Sequence, residues 1–342
     1  MTKELRVLEL FAGIGACSKA LTNLKIPHRI VDAVEIDKYA IKSFNAIHGT
    51  DFAPQDISKW DKDVEVDLIM HGSPCQDFSI AGEQRGGDKD SGTRSSLMYE
   101  TLRIIEKLRP KYVIWKNVKN LKSAKHIHNW HAYCARMNEL GYSNAGEVLN
   151  AKDYGIPQNR ERLFTVSYLC DAPRSQFVFP PTFELESTMN DLLELCVDKK
   201  YIVNQDVDWI KPRDIANTIR VGGRGSLDRH TWDAIRVVGK LKIKGNDQVK
   251  RVYDEYGISP TLTTMGGGNR QPKVLREGRT STVRRLTPLE CWRLMGFDDS
   301  DFEKCRAVNS DTQLYKQAGN SIVVDVLMAI LRNLLGGKYG RI

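Results

Sequence analysis

No Cys-x-x-Cys pair occurs in this chain. Its cysteines, Cys17, Cys75, Cys134, Cys170, Cys196, Cys291 and Cys305, are scattered and odd in number. That pattern argues against a disulfide framework and against a zinc site, and no metal is expected. Also lacking is any apolar run of membrane-spanning length. The opening MTKELRVLEL has no apolar signal-peptide core, so a cytoplasmic, reducing location and no membrane partner are expected. Internal repeats and low-complexity tracts are missing too. What remains is an ordinary globular composition, 41% hydrophobic and 27% charged over 342 residues. That length suits one large domain with a smaller one appended.

Charge is unevenly placed. The net charge is +8, yet the stretch from Lys199 to Arg285 alone holds 19 Lys/Arg against 9 Asp/Glu. A basic segment beside a nearly neutral body fits a polyanion partner, most simply nucleic acid, although a solvated basic surface has the same composition.

Residues 5–168 alternate strand and helix patterns. Leu5–Leu10, Ile30–Glu35, Val66–His71, Tyr112–Trp115 and Leu163–Tyr168 read as strands. Helical patterns run over Cys17–Leu24, Lys38–His48, Leu97–Leu108 and His128–Leu140. This alternation predicts βαβ units and a parallel sheet covered by helices on both faces. After Pro180-Pro181 the chain turns rich in Gly and basic residues, with short strand signals such as Ile235–Val238. Gly222-Gly223-Arg224-Gly225 and Gly266-Gly267-Gly268 read as loops. A helix resumes over Leu289–Met295, and a last one over about Val323–Leu335 carries apolar residues at 323, 324, 327, 330, 331 and 334. The expected organisation is therefore a first domain over 1–169, a smaller irregular module over 170–284, and a return of 285–342 to the first domain.

Two stretches carry chemistry. Gly72-Ser73-Pro74-Cys75-Gln76 follows the strand Val66–His71. Loops at the carboxyl ends of parallel strands are where α/β folds place reactive groups. Taken alone, Cys75 is either a nucleophile or a small buried thiol. The second stretch is Phe11-Ala12-Gly13-Ile14-Gly15, which lets the backbone approach a ligand beside a helix start but lacks the third Gly of the dinucleotide fingerprint. Glu35 ends the second strand about 20 residues on, the place of a ribose-diol acceptor. Asp56 sits where a third loop would reach a base. The set fits an adenosine-containing cofactor without a pyrophosphate.

These signals come together in order: LELFAGIG at 8–15, HGSPCQDFS at 71–79, QNRER at 158–162, RLTPLECWRLMGF at 285–297 and QAGNSI at 317–322. Through them the chain resembles the DNA cytosine-C5 methyltransferases, small bacterial and phage type, from end to end except for the variable middle. The resemblance implies an α/β fold, the S-adenosylmethionine-dependent methyltransferase (Rossmann-like) sheet with a smaller irregular target-recognition domain. It implies double-stranded DNA as partner, a flipped cytosine, a monomer and a place in restriction-modification. Cys75 matches the nucleophile that attacks cytosine C6, with Arg160 and Arg162 as paired arginines near the base. Phe11, Gly13, Gly15, Glu35, Ile36, Asp56, Ile57, Pro74, Asn320 and Ser321 match the S-adenosylmethionine pocket. Gln76 and Ser79 match a loop that closes over the base.

One position departs. Where the family has Glu-Asn-Val, this chain reads Lys116-Asn117-Val118. The family Glu donates to cytosine N3 and accepts from the amino group, whereas Lys has three donors and no acceptor. Lys116 could abolish activity, leaving an inactive DNA-binding homologue. It could suit an altered pyrimidine carrying O4, or it could pair with a carboxylated S-adenosylmethionine (carboxy-S-adenosyl-L-methionine) and redirect the enzyme to carboxymethylation. A swing outward to a DNA phosphate is the plainer outcome. The basic module would read DNA through Arg220, Arg224, Arg229 and Arg270, with Thr264 in a Thr-Leu-Thr-Thr segment that resembles a family mark. Because one branch of the family modifies tRNA, a tRNA substrate is the alternative.

Overall fold

The computed structural model describes residues 4–73, 97–169, 177–210, 234–267, 269–278 and 281–336. It divides into two compact units, one of residues 1–149, 161–181 and 326–342, the other of 150–160 and 182–325.

In the first unit six strands form one sheet: β1 (Leu5–Leu10), β2 (His28–Val34), β3 (Leu68–His71), β4 (Tyr112–Val118), β5 (Tyr142–Asn150) and β6 (Glu161–Leu169), in the order β2-β1-β3-β4-β6-β5. β1 pairs in parallel with β2 and β3, and β3 with β4, whereas β4 and β6 run antiparallel. The expected all-parallel sheet is corrected at that edge. β5 escaped the sequence reading because YSNAGEVLN is half-exposed edge strand with little apolar periodicity. Helices α1 (Ala16–Asn23), α2 (Lys38–His48), α3 (Met98–Leu108) and α4 (Ile127–Glu139) match their sequence expectations closely. α2 starts where Asp37 accepts a hydrogen bond from the Tyr39 N–H at 2.9 Å, an N-cap. The main core joins Leu8, Leu10, Ile69, Val113 and Trp115 of the strands to Leu102, Ile104 and Ile105 of α3. Strand order reverses between β1 and β3, and the carboxyl ends flanking such a switch point form the ligand crevice of open α/β sheets.

The second unit holds a five-stranded sheet of order β11-β10-β9-β8-β7, built from β7 (Val207–Trp209), β8 (Val237–Leu241), β9 (Arg251–Asp254), β10 (Lys273–Arg276) and β11 (Thr282–Arg285). None exceeds five residues, too short for period-2 patterning to show in sequence. Helices α5 (Pro288–Arg293), α6 (Asp299–Arg306) and α7 (Asp311–Asn320) follow.

Residues 285–325 group with this second unit rather than returning to the first, as does the segment 150–160. Buried polar bonds explain the grouping. Arg284 of β11 forks onto Glu290 of α5 at 2.6 and 2.8 Å, and Glu290 also accepts the Thr287 N–H in a capping box. Gln158 donates to the Leu294 carbonyl at 2.7 Å. The last helix, α8 (Val324–Leu335), buries Leu327, Ile330, Leu331 and Leu335, close to the expected stripe. By length and composition residues 311–335 suffice to cross a membrane, but they form two helices parted at Ser321.

Candidate active site

At the end of β1 the chain enters the left-handed region at Phe11 (φ 54°), and again at Gly13 (φ 58°) and Gly15 (φ 80°). A side chain at Gly15 would put its Cβ 2.1 Å from His48 Nε2 and 2.8 Å from the Phe44 ring, so only glycine fits there. The turn carries the Gly13 N–H to Glu35, whose Oε2 accepts it at 2.9 Å, while Oε1 accepts the Asp37 N–H at 2.9 Å. Burial raises the Glu35 pKa, and those N–H bonds partly offset the rise. Each carboxylate oxygen keeps a lone pair for a further donor, the provision a ribose diol needs. Ile36 beside it is 70% exposed, an apolar surface that a flat base would cover.

Asp56 stands at the head of the next loop, where its Oδ1 accepts the Ser58 N–H at 3.0 Å and the Ser58 hydroxyl at 2.9 Å. Those bonds lower its pKa and keep it ionised. The Ile57 side chain beside it is buried in the core, and its carbonyl accepts from the Trp60 N–H at 3.2 Å and from Arg103 Nη2 at 3.3 Å. Asp32, which the sequence reading missed, ties this loop to β2. Its buried carboxylate accepts from Trp60 Nε1 (2.8 Å), Lys62 Nζ (2.7 Å) and Gln55 Nε2 (2.7 Å). Burial alone would raise Asp32, but these donors outweigh it and its pKa falls. An acid in the middle of an apolar strand was the available signal.

β3 leads to Gly72 and Ser73, the last described residues before Cys75. His71 is fully buried, its ring stacked on Trp115 at 5.7 Å and 8°, with Nε2 3.2 Å from the Tyr133 hydroxyl. Burial pushes its pKa down to about 3, so it is neutral. Trp115 Nε1 donates to Ser73 Oγ at 3.1 Å. Pro74, Cys75, Gln76 and Ser79, like Arg220, Arg224 and Arg229, lie outside the described residues.

Lys116, on β4, is 9% exposed. The β4–β6 ladder sets Lys116 opposite Phe164, Asn117 opposite Leu163 and Val118 opposite Arg162. With side chains alternating across the sheet, Lys116 and Arg162 share one face and Asn117 takes the other. Arg162 Nη1 donates to the carbonyl of Glu161 at 2.7 Å.

In the second unit Arg160 is held by backbone. It is buried, with Nη1 donating to the Leu262 carbonyl at 2.9 Å and Nη2 donating to the carbonyls of Gly319 (2.8 Å) and Ser321 (2.9 Å). Those bonds make the guanidinium a clamp on two motif segments, Leu262 in one and Gly319 and Ser321 in the other. Gly319 belongs to the same contact: a Cβ there would lie 2.0 Å from the Thr263 carbonyl oxygen. Ser321 is buried, whereas Asn320, Thr263 and Arg270 are exposed and Thr264 is partly so. Among the described residues no cluster of three or more metal-ligating side chains occurs.

Over residues 5–336 the chain matches the family described as C-5 cytosine-specific DNA methylase. The chain belongs to that family. The orphan methyltransferase M.SPBetaI of Bacillus phage SPbeta is 32% identical to this methylase, over 97% of this chain and 98% of that protein. The type II methyltransferase M.HhaI of Haemophilus parahaemolyticus is 35% identical over 96% and 94%. Among solved structures, S. pombe Dnmt2 methyltransferase superposes with TM-score 0.66 at 20% identity over 97% and 98% of the two chains. Entamoeba histolytica methyltransferase EhMeth gives 0.68 at 16% over the same shares. These last two likenesses show the fold, the Rossmann-like α/β methyltransferase sheet. S-adenosylmethionine is the donor that membership implies, and the Glu35 carboxylate with its spare lone pairs suits the ribose of that cofactor.

Proposed function

We propose that this methylase transfers a methyl group to C5 of a cytosine flipped out of duplex DNA, with Cys75 as nucleophile. The observation that carries the reading is the Glu35 carboxylate, held by the N–H groups of Gly13 and Asp37 at the carboxyl ends of β1 and β2. Glu35 would hold the ribose, Ile36 the purine face and Asp56 its amino group, with Phe11, Gly13 and Gly15 giving the backbone room; Asn320 and Ser321 are assigned on resemblance alone. Bound there, S-adenosylmethionine supplies an electrophilic methyl group.

The Cys75 thiolate adds to C6, and the C5–C6 π pair moves to C5, which becomes nucleophilic enough to take the methyl group. Loss of the C5 proton then re-forms the double bond as the thiolate leaves. A free thiol has a pKa of about 8.5, so the site must favour the thiolate or remove its proton during attack. Negative charge builds on the ring as the thiolate adds, and a Lys116 ammonium donating to N3 would offset it. Extruding the base costs a few kcal/mol. Thr264, Arg270, Gln76, Ser79, Arg220, Arg224 and Arg229 are the proposed DNA contacts.

A second reading follows from Lys116 and Arg162 sharing a sheet face. Two cations there could accept the carboxylate of a carboxylated S-adenosylmethionine and lead to 5-carboxymethylcytosine. Incubating the protein with duplex DNA and either donor, followed by nucleoside mass spectrometry, separates the readings. 5-Methylcytosine that disappears in Cys75→Ala supports the first. 5-Carboxymethylcytosine that disappears in Lys116→Glu supports the second. Cofactor binding with no product, and no covalent trapping on a 5-fluorocytosine duplex, sinks both in favour of a non-catalytic DNA-binding homologue. Trapping on tRNA but not on DNA would move the substrate.

A further inference from the structure

We propose that Lys273 is a positioning residue that fastens two DNA-reading loops to one end of the second unit's sheet. The proposal rests on the reading of that unit as the DNA-recognition module.

β9 and β10 run parallel, so their amino ends lie at the same end of the sheet. Two loops arrive there: residues 242–250, which join β8 to β9, and residues 265–272, which lead into β10. Both present cations. Lys242 and Lys244 are exposed on the first loop, and Arg270 is exposed on the second. The second loop is also conformationally constrained, with Met265 (φ 49°) and Asn269 (φ 57°) in the left-handed region.

Lys273 is the first residue of β10 and is 2% exposed. Its Nζ donates to the Val249 carbonyl at 2.7 Å and to the Asn269 carbonyl, one acceptor from each loop. As a sheet residue it is a poor choice. Its ammonium is buried, and in the β10–β11 ladder it stands directly opposite another cation, Arg285. Like charges in that position oppose pairing, and a β-branched apolar residue would serve the strand better. Burying an ammonium is tolerated only when it is hydrogen-bonded, and here both bonds go to the loops instead of the sheet. What the lysine adds is therefore a tie between the loops. Held this way, Lys244 and Arg270 stand at a fixed separation for reading the major groove, and without the tie each loop would find DNA independently.

The test uses the full-length protein and plasmid DNA, with modified cytosines mapped by sequencing and kinetics measured for DNA and cofactor separately. Lys273→Met keeps the aliphatic stem and removes the ammonium. It should mark a degenerate set of sequences where the wild type marks one, with KM for DNA raised about tenfold. Its kcat and its KM for cofactor should stay unchanged. Lys273→Arg, which keeps a cation and several donors, should retain the wild-type sequence preference. Unchanged specificity in Lys273→Met overturns the proposal.

If Lys273→Met does not fold, hydrogen exchange on the wild-type protein decides. Amides of 244–250 and 265–271 should open together with one protection level; independent opening overturns the tie. If the wild type modifies no DNA at all, the functional reading has failed, and coupled exchange still tests the tie.

Discussion

Glu9 and His71 occupy successive register positions on neighbouring strands, Glu9 opposite Met70 and Leu10 opposite His71, and burial acts on them in opposite directions. Burial pushes Glu9 up to about 7, against the hydrogen bonds it accepts from the Ser18 N–H and hydroxyl, and pushes His71 down to about 3. The folded state thus holds a proton on Glu9 that the unfolded chain releases at a carboxylate's usual pKa. That contribution is present below pH about 4.5 and is lost as pH rises through about 7. His71 works the other way: its contribution is present above about 6.5 and is lost as pH falls toward 3. Between about pH 4.5 and 6.5 each supplies a slope of about 1.4 kcal/mol per pH unit, and the two cancel. Glu9→Gln should uncover a steep acid loss of stability in urea melts across that window, and His71→Asn the reverse slope. Parallel pH curves for all three proteins would refute the linkage.

Glu35→Ala removes the acceptor for two backbone N–H groups together with the ribose contact. Calorimetric titration with S-adenosylmethionine should show at least about tenfold weaker binding, since hydrogen bonds to a charged group contribute about 1.5–3 kcal/mol. Wild-type affinity would remove Glu35 from the cofactor site.

Arg160→Lys keeps the charge and loses the fork. If the residue served the base through its charge, the lysine variant would melt like the wild type. Because its guanidinium satisfies three backbone carbonyls, the expected outcome is a loss of about 2–4 kcal/mol in chemical denaturation, with activity falling in step with the folded fraction.

How much was legible beforehand follows the same physics. α2 was readable to the residue because Asp37, the apolar stripe and Gly49 all mark its limits. β7 to β11 were mostly invisible because strands of three to five residues carry no usable period. Glu35 could be placed by its position directly after β2, which topology fixes, whereas Asp56 follows no strand and was placed by its loop alone. The true partners of Arg160 could not be found, because Leu262, Gly319 and Ser321 lie more than 100 positions away and offer only backbone. The departure at Lys116 was visible from the resemblance alone, whereas its shared face with Arg162 needed the antiparallel pairing of β4 and β6.

Trp115→Phe should leave the fold intact while freeing the Ser73 hydroxyl. It preserves the stack on His71 and deletes the bond to Ser73, two residues before Cys75. The unpaired Ser73 hydroxyl costs about 1–3 kcal/mol. Covalent trapping on a 5-fluorocytosine duplex should slow by a larger factor than cofactor affinity changes, and equal trapping rates would show that Ser73 does not position the thiol.

The division of the chain bears on how the protein is made. Strands from the first part of the sequence and helix α8 from its end belong to one unit, while 150–160 and 182–325 build the other. The polypeptide therefore passes from one unit to the other four times. Leu327, Ile330, Leu331 and Leu335 are buried and group with the first unit, so that unit is not completed until α8 has been synthesised. The second unit can begin folding earlier, since its last residue precedes α8's buried stripe. A premature stop just before that stripe would yield a folded second unit and an unfinished first-unit sheet, and grafts that exchange only 170–284 would leave behind 150–160 and 285–325, which group with 182–284.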